Sequence, residues 1–215
     1  GLAYFELWVR GPEHDLHSGT FGGIVHNPAQ VLCESIAGMH DADGRITLPG
    51  YYDKVRVLTD AERADMARIP YDEARALREA GNPSRHYGEK GYTTVERAGA
   101  RPTLEVNGLY SGFIGEGSKT VLPCKAMAKI SMRLVPDQDP EEVEAQLREY
   151  LTKNTPPTVT WELKAFGKGP GVLPPRDSVG AKAAARALET VFGLPPVFRR
   201  EGGSVPVVTD IRKIL

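Results

Sequence analysis

Apolar residues along the chain recur first at a spacing of two, then at the spacing of a helix, and then at two again. Residues 2–10, LAYFELWVR, alternate loosely and carry aromatics, which predicts a strand with both faces at least partly covered. The polar, glycine-rich stretch from Pro12 to Gly23 reads as a loop. Asn27 offers an N-cap ahead of Pro28, the favoured pair for starting a helix, and Val31, Leu32, Ser35, Ile36 and Met39 share one face of it. Gly38 and His40 mark its end. Alternation returns in PTLEVNGLY (102–110) and AMAKISMRLV (126–135), separated by a glycine-rich loop from Gly108 to Gly117. Asp139-Pro140 caps a helix whose first turn holds Glu141 and Glu142, and Val143, Leu147, Tyr150 and Leu151 form its buried stripe. TVTWELKAF (158–166) predicts a further strand, and residues 178–192 an alanine-rich helix.

Between Asp41 and about Gly99 the pattern changes. Asp43-Gly44 signals a turn, RITLPG a short extended piece, and Thr59-Asp60-Ala61-Glu62 the capping box of a short helix. A charged helix from Tyr71 to Glu79 follows, closed by Gly81 and Pro83. Residues 41–100 therefore read as a helical insertion between strands. The order strand, helix, insertion, strand, strand, helix, strand predicts an α+β fold, a four-stranded antiparallel sheet with two helices on one face.

Composition narrows the function. The 27 Lys and Arg against 28 Asp and Glu leave a net charge of −1, without the basic excess of a nucleic-acid binder. No apolar run reaches the length of about 18 residues that a membrane span needs, and residues 1–20 show no signal-peptide pattern. Cys33 and Cys124, both in apolar settings, are expected to be buried free thiols, in keeping with a cytoplasmic protein. The missing initiator Met and the abrupt ending at Ile211–Leu215 suggest a piece of something larger.

Three constellations could carry chemistry. His14-Asp15-Leu16-His17-Ser18-Gly19 sets two histidines around an Asp, but His26, His40 and His86 supply no matching spacing for a zinc site of three or four ligands. The loop histidines are then either ordinary or one is presented to a ligand as a hydrogen-bond donor. Gly117-Ser118-Lys119-Thr120 fails as a phosphate loop, because Ser118 separates the glycine from the lysine and Leu122-Pro123 starts no helix. Arg133, in an alternating strand, reads either as a surface ion pair or as a substrate clamp. Arg200-Glu201-Gly202-Gly203-Ser204 is either a plain tight turn or a place where backbone N–H groups and a hydroxyl receive a carboxylate.

Together, DLHSGTFGGIVHNPAQ (15–30), GEGSKTVLPCKAMAKISMRLVPDQDP (115–140) and RREGGSVPVV (199–208) resemble the carnosine-dipeptidase-like branch of the di-zinc aminoacylase and carboxypeptidase family. The resemblance implies a lid and dimerisation domain over 1–172 and the start of a returning α/β catalytic domain over 173–215. It implies that His17 reaches across a homodimer to polarise the scissile carbonyl and that Thr120 contacts substrate from the same side. Arg133 would pair with the substrate's free carboxylate and Ser204 would bind the same end, with Asn107 in a supporting place. The family's two divalent metal ions, zinc or manganese, are held by residues with no matching position here, as is its general base. The chain is therefore expected to hold no metal and to be inactive alone, in a parent that cleaves a C-terminal residue from short peptides. Deacylation of N-acyl amino acids by that parent, or a purely dimerising module, are the alternatives. The expected partners are a peptide substrate and a second copy, with neither nucleic acid nor membrane, and the helix around Val31 to Met39 is a candidate interface.

Overall fold

A computed structural model describes residues 1–203 together with Val207, Val208 and Ile211. Four strands make the main sheet: β1 (Leu2–Arg10), β3 (Thr103–Ser111), β5 (Lys125–Arg133) and β6 (Thr160–Gly169). Their order across the sheet is β3-β5-β1-β6, with every neighbour antiparallel. A second, two-stranded sheet joins β2 (Leu16–His17) to β4 (Val121–Leu122).

The period-two patterns decide which face is covered. Ala3, Phe5, Leu7 and Val9 of β1 and Ala126, Ala128, Ile130 and Met132 of β5 are all buried on one side. Over that side lie α2 (Pro28–Ala37) and α6 (Pro140–Asn154), contributing Val31, Leu32, Val143, Leu147 and Leu151 to the same core. Asn27 and Asp139 cap these helices, each side chain accepting the backbone N–H two residues on, from Ala29 and Glu141. Tyr150 of α6 donates to the Ser35 carbonyl of α2 at 2.9 Å, tying the helices to each other. The α+β sandwich expected from the sequence is the one observed.

Several local expectations need correction. Residues 12–23 are not all loop, since β2 and a single helical turn, α1 (Ser18–Phe21), lie within them. RITLPG forms turns with one isolated bridge, His40 to Ile46, instead of an extended piece. Cys33 is exposed and Cys124 only half-buried. The apolar stripe of α2 turns inward at Val31, Leu32 and Ser35, and position 33 falls on the opposite side. That outer face, with Gln30, Glu34 and Ala37, is what α2 leaves for any partner.

The insertion holds α3 (Asp60–Ala67), α4 (Glu73–Glu79) and α5 (Thr94–Ala100). Leu58, Met66 and Ala100 form a small core of their own beneath them. A buried ion pair pins this region to the foot of β3: Glu89 receives both Arg101 Nε at 2.7 Å and a second Arg101 nitrogen at 2.8 Å. The Arg101 guanidinium lies over the rings of Tyr92 and Tyr52, 4.3 and 5.0 Å from their centroids. Beyond β6 the chain continues into α7 (Val179–Phe192), capped by Ser178 and closed by Gly193 in the left-handed conformation. Among the described residues, no helix is long and apolar enough to cross a membrane.

Candidate functional site

The loop after β1 is built from backbone pairing to the strand that enters β5. Gly11 donates to the Cys124 carbonyl at 2.9 Å, and Cys124 returns its N–H to the Asp15 carboxylate at 2.8 Å. That bond, and then the Cys124 thiol, hold the Asp15 carboxyl below the usual aspartate range. Burial and the same carboxylate push the thiol up. The pairing of Leu16 with Leu122 and His17 with Val121 follows, and Ser18 donates to the Thr120 carbonyl at 3.0 Å.

This pairing sets His17 beside Thr120. The Gly19 N–H donates to His17 Nδ1 at 3.0 Å, so His17 is the N-cap of α1. A backbone N–H can only donate, so Nδ1 accepts and the neutral ring carries its proton on Nε2. Nε2 lies 3.1 Å from Thr120 Oγ1. The imidazole is thereby fixed in one tautomer whose Nε2–H donates to the Thr120 hydroxyl oxygen, and both groups stand on an exposed edge. Two sequence-predicted residues, 103 positions apart, meet in one donor pair.

Arg133 is elsewhere. It ends β5, paired in register with Leu2 and Thr103, whereas Lys125 at the strand's other end pairs with Arg10 next to the His17 loop. The nine residues of β5 extend about 27 Å at the antiparallel rise. Arg133 lines a cleft of about 530 Å³ shared with Leu2, Val135, the turn after β6 and residues 199–203. Among the described residues, four other cationic side chains on the wall are engaged: Arg101 with Glu89, Lys168 with Glu141, Arg199 with Glu201, and Arg200 with Glu62. Among the described residues, the Arg133 side chain makes no ion pair or hydrogen bond, and it is exposed. Close backbone approach shapes the far wall, where a Cβ on Gly99 would lie 2.7 Å from the Arg200 carbonyl oxygen.

Ser204 lies outside the described residues, although Gly202 and Gly203 of its turn line the Arg133 cleft. Asn107 stands exposed in β3, at a shift of register between Val106 and Gly108 that leaves it without a partner residue on β5. The HDLH run does not fit a metal ion, because both His17 nitrogens and one Asp15 oxygen already have partners. Among the described residues, no group of three His, Cys, Asp or Glu stands close enough to hold one. Sequence reasoning missed Asp15 as the anchor of the loop, since only the fold brings its carboxylate to Cys124.

Comparison with known proteins matches residues 1–159 to the peptidase dimerisation domain. The Cys-Gly metallodipeptidase dug1 of Schizosaccharomyces pombe is 34% identical over 218 residues, covering 100% of this chain and 46% of that protein. The M20 family metallo-carboxypeptidase Sso-CP2 of Sulfolobus solfataricus superimposes with a TM-score of 0.84 at 32% identity, covering 100% of this chain and 48% of the other. Human carnosine dipeptidase 1 superimposes with a TM-score of 0.74 at 28% identity, over 100% of this chain and 46% of the other. The chain thus spans about half the length of the relatives it matches.

Proposed function

Because the chain belongs to the peptidase dimerisation domain family of the M20 metallopeptidases, we propose that it is the dimerising lid of a metallodipeptidase. Residues 1–172 form that lid, and residues 173–215 begin the returning catalytic domain. The parent releases the C-terminal residue of a short peptide and works as a homodimer. The relatives named for Cys-Gly and Beta-Ala-His cleavage support this substrate class.

One observation carries the reading: the donor pair and the free arginine lie at opposite ends of β5. A fully extended dipeptide reaches only about 7 Å, so no such substrate touches both groups of a single chain. A two-fold-related copy removes the difficulty, because His17 and Thr120 of one subunit then face Arg133 of the other. Arg133 receives the terminal carboxylate in the fork geometry suited to it. Ser204 holds the same end through its hydroxyl, and Asn107 supports the loop beyond it. His17 Nε2–H exchanges its Thr120 partner for the scissile carbonyl as negative charge develops on that oxygen, and the Thr120 hydroxyl stays beside it as a second donor. The two divalent ions of zinc or manganese that the reading requires belong to other parts of the parent. This chain supplies grip, polarisation and the dimer contact, and is silent by itself. Two unpaired cysteines agree with a cytoplasmic setting.

Subunit complementation tests the reading. Parent dimers carrying His17→Ala or Arg133→Ala should each lose at least about a hundredfold in kcat/KM. When the two are mixed and allowed to re-pair, half the dimers are hybrids with one intact site. About a quarter of wild-type activity should return. Recovery of none would overturn the assignment in trans.

A further inference from the structure

Asparagines stand at positions 27, 82, 107 and 154, and one of them has the neighbour and the setting for a reaction with its own backbone. Asn27 and Asn82 each precede a proline, whose ring nitrogen carries no N–H. Asn154 gives its side-chain amide to the Tyr150 carbonyl at 2.8 Å, and the β-branched Thr155 follows it. Asn107 precedes Gly108. It is exposed, and Val106 pairs with Ile130 and Gly108 with Lys129, so position 107 is the extra residue of a bulge. β3 is also the outer strand of its sheet, paired on one side only. A Cβ on Gly108 would meet Lys129 Cγ at 3.6 Å, an ordinary contact, so the fold does not itself demand glycine there.

We propose that Asn107 is a self-modification site, where the Gly108 backbone nitrogen displaces the side-chain amide and leaves aspartate or isoaspartate. The nitrogen gives up its proton to solvent and attacks Asn107 Cγ. The new N–Cγ bond forms as the Cγ–Nδ2 bond breaks, and Nδ2 takes a proton and leaves as ammonia. One water molecule then opens the resulting succinimide ring. Opening at Cγ gives aspartate, and opening at the Asn107 backbone carbonyl gives isoaspartate, whose chain runs through Cβ and Cγ. Asparagine and water become the acid and ammonia, with nothing oxidised or reduced. The setting favours each stage. Exposure leaves the carboxamide free to turn, and Gly108 has no Cβ to crowd the attacking nitrogen. An outer strand opens locally at low cost beside a bulge. Isoaspartate adds one atom to the backbone, and the bulge, which already holds a residue more than β5, absorbs it.

The test follows the peptides containing Asn107 and Asn154 by mass spectrometry, in folded protein and in protein unfolded by urea, both at mildly alkaline pH. In folded protein the Asn107 peptide should gain the mass difference between an amide and an acid, and separate chromatographically into aspartate and isoaspartate forms. Its rate should lie within about tenfold of the unfolded rate, as a small local opening allows, while Asn154 stays intact. Gly108→Ala should slow the reaction at least about tenfold, because the added methyl group restricts the backbone that must bend into the ring. An Asn107 that stays intact in folded protein while the unfolded chain loses it overturns the proposal, since the fold then protects the site. An unchanged rate in folded Gly108→Ala overturns the route through that nitrogen. The wild-type comparison decides the matter even if Gly108→Ala fails to fold.

Discussion

Asp15 and Cys124 stand 109 residues apart in sequence, and the carboxylate of the first accepts the backbone N–H of the second at 2.8 Å. This bond closes the base of the loop that presents His17. Together with the two-residue pairing of β2 and β4, it converts a glycine-rich connection into a platform for one imidazole. The donor pair is exposed, so its geometry depends on these few backbone contacts and owes little to packing.

The first prediction concerns acid. The folded state holds the Asp15 carboxyl below its ordinary value of 3.8, first through the Cys124 N–H. Its contribution to stability is therefore complete above the unfolded pKa and is lost as pH falls through the lower folded value. Below about pH 4 the loop should loosen ahead of the core. Amide exchange at Cys124 should speed up in Asp15→Ala at neutral pH, and much less in Asp15→Asn, which keeps an acceptor oxygen. Unchanged protection of that amide in Asp15→Ala would show that the carboxylate does not anchor the loop.

The second concerns the tautomer of His17. An Nδ1 that accepts the Gly19 N–H requires the proton on Nε2 in the neutral ring. Nitrogen-15 shifts of the imidazole above pH 8 should show that form, and Thr120→Val should broaden the equilibrium by removing the partner of Nε2. Observation of the Nδ1–H tautomer as the major species would mean that His17 cannot present a donor outward as drawn.

Much of this architecture is legible before any coordinates. The alternation in residues 2–10 and 126–135 marks the two central strands, because a sheet covered on one side forces a period of two. Asn27, Thr59 and Asp139 announce helix starts through side-chain chemistry that acts within one turn. The same capping box recurs at Thr93 and Glu96, so T-x-x-E announces the start of α5 as well, within the charged insertion. What a lone sequence hides is contact between distant residues. Nothing local says that His17 meets Thr120, that Asp15 meets Cys124, or that Arg133 comes to line a cleft with residues 199–203. The exposure of Cys33 was readable from helical spacing, since it lies off the stripe of Val31, Leu32 and Ser35.

A third prediction addresses how the insertion is held. Glu89 and Arg101 keep only 5% and 6% of their side chains accessible, and Glu89 also receives Arg45 at 3.0 Å. Glu89→Ala strands the Arg101 cation between Tyr52 and Tyr92 and should cost about 3–5 kcal/mol, as removal of one member of a buried pair does. The double change Glu89→Leu with Arg101→Met removes both charges and should cost clearly less. Denaturant midpoints of the three proteins measure this. A double variant as unstable as the single one would mean that the pair contributes attraction well beyond its desolvation.

The last prediction separates this chain from the metal chemistry of its relatives. His14, Asp15 and His17 have the composition of a zinc site, yet the fold has already spent them. His17 Nδ1 caps α1, His17 Nε2 meets Thr120, and an Asp15 oxygen anchors Cys124. Binding zinc here would break the cap, the donor pair and the loop anchor together, and would still gather fewer ligands than a structural zinc site uses. Calorimetric titration of zinc into the purified chain at neutral pH should therefore show nothing tighter than about 10 µM, roughly −7 kcal/mol. Stoichiometric binding well below that concentration, abolished by His17→Ala, would make the loop a metal site. The imidazole would then be a ligand, unable to donate to a carbonyl, and the role assigned to it across the dimer would fall.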